Sequence, residues 1–149
     1  MNFLTAMGAS SSGMAAQRFR MNIISANIAN AETTRTPEGG PYRRRDVVFG
    51  ALPAQRTFEE ELRAQAAGKE DDPMHAKVLG VVTDQRPPML KFEPGHPDAN
   101  EDGYVAMPNI NTMEEMTNLM LASRTYEANV TAFNATKNMA LQALNIGKA

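Results

Sequence analysis

The sequence predicts an α+β chain: a discontinuous, coiled-coil-like pair of N- and C-terminal helices with an inserted, irregular, β-containing middle. Three observations predict it. All nine prolines lie between Pro37 and Pro108, so neither end contains that helix breaker. Charge is segregated in the same way: residues 35–104 carry 23 of the 32 Asp, Glu, Lys and Arg side chains. Each end also repeats mainly apolar residues every seven positions, the period of a helix that packs on another helix. The expected division is 1–34 plus 110–149 as one helical domain and 35–109 as an outer, β-containing domain.

At the N-terminal end, Met7, Met14, Met21 and Ile28 form the heptad row, with Phe3 and Ile24 on the neighbouring seam. Gly8 and Gly13 each cost about 1 kcal/mol relative to Ala in a helix. The first turns are therefore expected to need a contact to order them. The pattern continues from Gln17 to Asn30 and ends before Pro37, which pushes Thr36 towards an extended conformation.

In the middle, Asp46–Ala51 and Lys77–Thr83 read as strands, the second around Val78-Leu79-Gly80-Val81-Val82. Met89–Phe92 and Tyr104–Met107 are shorter strands. Phe58–Ala67 reads as a short helix and Gly68–Pro73 as a charged loop. With the ends paired, this middle is expected at the tips of the helices.

At the C-terminal end, Asn111 or Thr112 caps a helix whose first turn holds Glu114 and Glu115, where the helix dipole favours anions. Met116, Ser123, Val130, Lys137 and Leu144 form one heptad row, and Leu119, Tyr126, Phe133 and Ala140 the other. The run Thr112–Ile146 is about 50 Å long if wholly helical, beyond an ordinary globular helix. From Ala128 to Gly147 the only charge is Lys137, and from Met1 to Gln17 there is none. Surfaces without charge favour protein contacts over solvation. Burial in an assembly is the expected outcome.

Several functions are excluded or unsupported. The absence of cysteine removes disulfides, thiol catalysis and cysteine-ligated zinc. A formal charge of −2 gives no basic field for nucleic acid or an anionic membrane, and no direct lipid anchor is expected. No apolar run approaches the roughly 20 residues of a membrane helix. The start lacks the basic and apolar regions of a cleaved secretory signal. Asp98–Gly103 imitates the opening of a calcium loop, but its twelfth position falls on Asn109, which has no carboxylate. An Asx-type turn is the expected structure there. His75 and His96 have no metal-binding spacing, and no acid, base and oxyanion site assembles. No enzyme activity, cofactor, metal or catalytic residue is expected. Arg43, Arg44 and Arg45 are expected to pair with carboxylates, including those of a neighbouring subunit. A small soluble helical-hairpin binding module is the alternative these residues leave open.

Five segments then resemble one family. Ser25-Ala26-Asn27-Ile28-Ala29-Asn30, followed by Thr33-Thr34, is similar to a motif of bacterial flagellar axial proteins, departing from it at Ala26 and Ile28. Gly39-Gly40-Pro41-Tyr42-Arg43-Arg44, Pro94–Ala99 and Gly103–Ile110 resemble stretches of the proximal-rod branch of that family. Arg124-Thr125-Tyr126-Glu127-Ala128-Asn129 resembles its C-terminal signature. The likeness covers about three-quarters of the chain and is weakest over residues 50–90.

The resemblance implies a structural subunit of the flagellar basal body's proximal rod. It implies copies of itself, other rod proteins and the type III export apparatus as partners, and export into the periplasm-spanning rod without a cleaved signal. It also implies a helical layer that assembles itself and transmits motor torque for motility; another rod protein is the alternative within the family. The expected packing residues are Met14, Met21, Ile24, Asn27, Ile28, Asn30, Arg43, Arg44, Met116, Leu119, Tyr126, Glu127, Val130 and Phe133. Asn27 and Asn30 are expected to bond backbone groups and set the exit turn of the first helix.

Overall fold

The computed structural model describes residues 3–53 and 74–147. Helix α1 (Phe3–Ala29) is followed by strands β1 (Arg45–Pro53), β2 (Met74–Thr83), β3 (Met89–Phe92) and β4 (Tyr104–Met107), and then by helix α2 (Thr112–Ile146). The helix expected at Phe58–Ala67 and the loop at Gly68–Pro73 lie outside the described residues.

Helix α2 starts where its cap is. The Asn111 side chain accepts from the backbone N–H groups of Met113 and Glu114, two of the donors a helix start leaves unpaired. The helix then runs for 35 residues without Pro or Gly. The two helices lie antiparallel, as two contacts at opposite ends require: Asn27 meets Glu115, and Gly13 meets Asn129. The glycines that weaken α1 in isolation are what admit its neighbours. A Cβ on Gly13 would sit 3.0 Å from Asn129 Nδ2, and one on Gly8 would sit 2.8 Å from the His75 ring. The first turns are helical in the single chain because α2 and the β1–β2 ribbon both rest on them.

The seven-residue period is present on α2, but the seam is one residue ahead of the expected row. Glu115, Ala122 and Thr136 are buried and Asn129 is half-buried, while Met116, Lys137 and Leu144 are exposed. Small and polar side chains hold the centre of the seam because the helix axes come close there. The larger residues flank it. Leu119, Tyr126, Phe133 and Ala140 form the second, half-buried row.

The first two strands of the middle do not sit at the helix tips. β1 and β2 form an antiparallel ribbon that packs along α1 and spans most of its length. Arg45 is held at Asn27, while the Ala76 N–H donates to Ser12 Oγ near the helix start. The pairing slips between Val48 and Phe49, which leaves Leu79 as the extra residue of a bulge.

A second antiparallel hairpin, β3–β4, packs on neither helix and buries Val105 at 0% exposure. Its connection folds as an Asx turn: Asn100 Oδ1 accepts from the N–H groups of Asp102 and Tyr104. Gly103 closes it at φ +79°, and a Cβ there would meet Phe92 at 3.0 Å. Gly103→Ala is expected to cost about 1–2 kcal/mol, the penalty of a side chain in the left-handed region. Urea unfolding of the variant checks it.

Candidate assembly interface

The buried centre of the molecule is polar. Asn27 is fully buried on α1, and its carboxamide pairs with both backbone groups of Arg45, as a facing strand residue would. Nδ2 donates to Arg45 O at 2.8 Å, and Oδ1 accepts from Arg45 N–H at 3.0 Å. The same Nδ2 donates to Glu115 Oε2 at 2.9 Å, and Tyr42 O–H donates to Oδ1 at 3.2 Å. Glu115, at 1% exposure, receives Arg44 on its other oxygen through Nε at 2.9 Å and a terminal nitrogen at 2.8 Å. One amide and one carboxylate thus join α1, α2 and the start of β1. Burying them is tolerable because every polar atom has a partner.

Burial opposes the Arg44 charge, but the hydrogen bonds it donates to the Glu115 and Asp46 carboxylates, with their negative charges, outweigh this and hold the guanidinium above its usual pKa. Burial raises the Tyr42 phenol; the nearby Arg45 charge offsets this in part and the Glu115 charge adds to it. A raised folded-state value means the neutral phenol is favoured on folding. The stability it contributes is therefore complete below the ordinary value of 10.0 and is lost as pH rises through the folded value. Tyr42→Phe is expected to flatten that alkaline loss in unfolding measured against pH.

Among the other expected packing residues, Ile24 is buried; Met14, Met21, Ile28, Leu119, Tyr126, Val130 and Phe133 are half-buried along the helix pair. Asn30 is half-buried and donates to Ala26 O at 2.8 Å, which turns the chain out of α1. Met116 is 47% exposed, not in the seam, because the adjacent Glu115 takes the inward position. Glu127 is exposed on the outer side of α2. Of the three consecutive arginines, Arg44 is the one that pairs with carboxylates among the described residues. Arg43 donates to Gln85 Oε1 at 3.2 Å, and the Arg45 guanidinium sits 5.6 Å from the Tyr42 ring centre. Glu115, the anchor of the cluster, was readable as an N-terminal dipole residue. Its spacing of seven from Ala122 was the signal that it points inward.

Little apolar surface is buried. Among the described residues the buried apolar side chains are Ala16, Ile24, Val47, Val105 and Ala122. Met113, Met120, Leu121, Leu141, Leu144 and Ile146 on α2 are all 50% exposed or more. Carrying the antiparallel register along the pair places Phe3 level with Met139, so the last turns of α2 extend past the described start of α1. Exposed apolar surface of this extent is characteristic of surfaces that bind a protein, a membrane or a ligand.

Residues 4–35 match the family model "Flagella basal body rod protein", and residues 101–146 match "Flagellar basal body rod FlgEFG protein C-terminal". The chain is similar to three proteins named flagellar basal-body rod protein FlgC. It is 38% identical to that of Borreliella burgdorferi over 154 residues, covering 98% of each chain. It is 40% identical to that of Bacillus subtilis over 146 residues, covering 95% of this chain and 96% of the relative. It is 40% identical to that of Salmonella typhimurium over 139 residues, covering 92% of each.

Proposed function

We infer, from the premise that this chain belongs to the FlgC family of flagellar basal-body rod proteins, that it builds its part of the rod through the outer faces of its terminal helices. The chain is a structural subunit of the basal-body rod and assembles with other components of the flagellar basal body. The observation that carries the role of the helices is the apolar, charge-poor outer surface of α2, from Met113 to Ile146.

In this reading α1 and α2 form the rod-core domain and stand in a continuous helical layer. Copies of the chain and other rod proteins cover the surfaces that a single subunit leaves open. The ribbon and the β3–β4 hairpin form the outer domain. Met14, Met21, Ile28, Leu119, Tyr126, Val130 and Phe133 stiffen each pair, while Met116 and Glu127 face neighbours. Asn27, Arg44 and Glu115 lock the outer domain to the helices, so torque applied to one reaches the other. The proximal rod crosses the periplasm, and the subunit reaches it through the type III export apparatus without a cleaved signal.

Limited trypsin digestion tests the helical layer. The helices offer Arg18, Arg20, Arg124 and Lys137 as sites. Cleavage at these four is expected in the isolated chain and is expected to be suppressed in purified basal bodies. Equal cleavage in both would overturn this reading and favour a free helical-hairpin module.

A further inference from the structure

A cleft of about 120 Å³ opens where the loop after α1 meets the segment between β2 and β3. It is lined by Gly39 and Gly40, by Arg43 and Arg44, and by Asp84 and Arg86. Sites for cofactors and small substrates enclose roughly 300–1,000 Å³, so this one has room for a single side chain.

The three guanidinium groups are not equally engaged. Arg44 binds Glu115 and Asp46, and Arg86 closes on Asp84 through Nε at 2.7 Å and a terminal nitrogen at 2.6 Å. Arg43 has a neutral partner instead: one terminal nitrogen donates to Gln85 Oε1 at 3.2 Å. That bond holds the guanidinium in place without neutralising it. Its Nε and its second terminal nitrogen have no partner among the described residues. A guanidinium presents its donors as a rigid fork that matches a carboxylate.

The glycines keep the opening reachable. Thr36 N–H donates to Gly40 O and Gly39 N–H to Thr36 O, in a turn that sets the two glycines at φ +91° and +76°. A Cβ on either glycine would meet nothing within 4 Å. The rim is bare, and the backbone of another chain can approach it closely.

Magnitude selects the occupant. One exposed ion pair adds less than about tenfold in affinity, too little to hold a free small acid. The acid therefore arrives on a larger surface that contributes the rest.

The geometry points to this cleft as the receptor for one acidic side chain of a partner protein, with its carboxylate on the Arg43 fork. The carboxylate chemistry stands without the rod reading above; that the acid belongs to a basal-body protein rests on it. The helices supply the contacts in that reading, and this cleft adds one at the root of the outer domain.

The test uses the full chain in cells, with Arg43→Lys, followed by carbodiimide treatment of purified basal bodies. The carbodiimide takes up one oxygen of a touching carboxylate and leaves as a urea. The lysine nitrogen bonds the acyl carbon and loses a proton, which leaves an amide. Mass spectrometry is expected to find position 43 joined to an Asp or Glu of another protein molecule. No adduct at position 43 in incorporated chains would overturn the proposal, as would an adduct within one chain, which leaves its electrophoretic mass unchanged. Arg43→Glu is expected to keep the unfolding midpoint, because Arg43 is exposed. It is expected to lower basal-body incorporation by about tenfold or more, because like charges then meet. Unchanged incorporation would overturn the proposal. Millimolar succinate is expected to leave the Arg43 Nε NMR signal of the free chain unmoved. A saturable shift would assign the cleft to a small acid and overturn the protein occupant. Failure of the unaltered chain to enter basal bodies would overturn the rod reading itself, and with it the assignment of the acid to a basal-body protein.

Discussion

Asn27→Asp is expected to destabilise the chain more than Asn27→Ala, although Asp is the closer match in shape. The Asn27 amide nitrogen donates to Arg45 O and Glu115 Oε2 from a fully buried position. An aspartate has no donor to offer, so its oxygen would face a carbonyl oxygen and a carboxylate. Leaving those two acceptors unpaired costs about 1–3 kcal/mol each, and the second buried negative charge adds to that. Asn27→Ala leaves the same acceptors unpaired but adds no charge. The expected losses are about 4 kcal/mol or more for Asp and about 2–3 kcal/mol for Ala. Urea unfolding followed by circular dichroism separates them, and equal midpoints would show that the amide is not the tie between helix and ribbon.

Glu115→Ala is the second large effect, expected at about 3–5 kcal/mol, the range for breaking a buried ion pair by removing one partner. Arg44 is 18% exposed, so its guanidinium would be stranded in a largely dry position, with Asp46, 3.1 Å away, as its remaining carboxylate among the described residues. Replacing both Glu115 and Arg44 with alanine is expected to cost less than the two single losses added together, because the stranded charge is gone. Asn27→Ala and Glu115→Ala are likewise expected to be non-additive, since they share one hydrogen bond. Strict additivity would show that these residues act separately.

Much of this molecule was legible because local signals and tertiary structure agree at its ends. An asparagine cap, acidic first turn and proline-free run marked α2 from Thr112 to Ile146, and the Val-rich run Val78–Val82 placed β2 within three residues at its start. The phase of the seam was not legible. Choosing the larger apolar row, Met116 and Val130, assumes that size marks the inside. Here the axes approach closely enough that Ala122 and Asn129 occupy the centre and the methionines remain outside.

The place of the ribbon was equally hidden. Its strands show an ordinary pattern, and contacts such as those of Asn27 with Arg45 and of Ser12 with Ala76 fold it back along α1. Such contacts lie 18 and 64 residues apart in the chain and leave no local signature. The exposed methionines explain the conflict. In the rod reading proposed above, they are apolar for a surface that a single subunit does not complete.

That idea, helices whose outer sides are finished by other subunits, is tested most directly by peroxide footprinting of Met113, Met116, Met120 and Met139 in the free chain and in purified basal bodies. Rapid sulfoxide formation at all four is expected in the free chain, with strong protection in the basal body. Oxidation at the same rate in both would contradict it, because those faces would then be open to water in the finished rod.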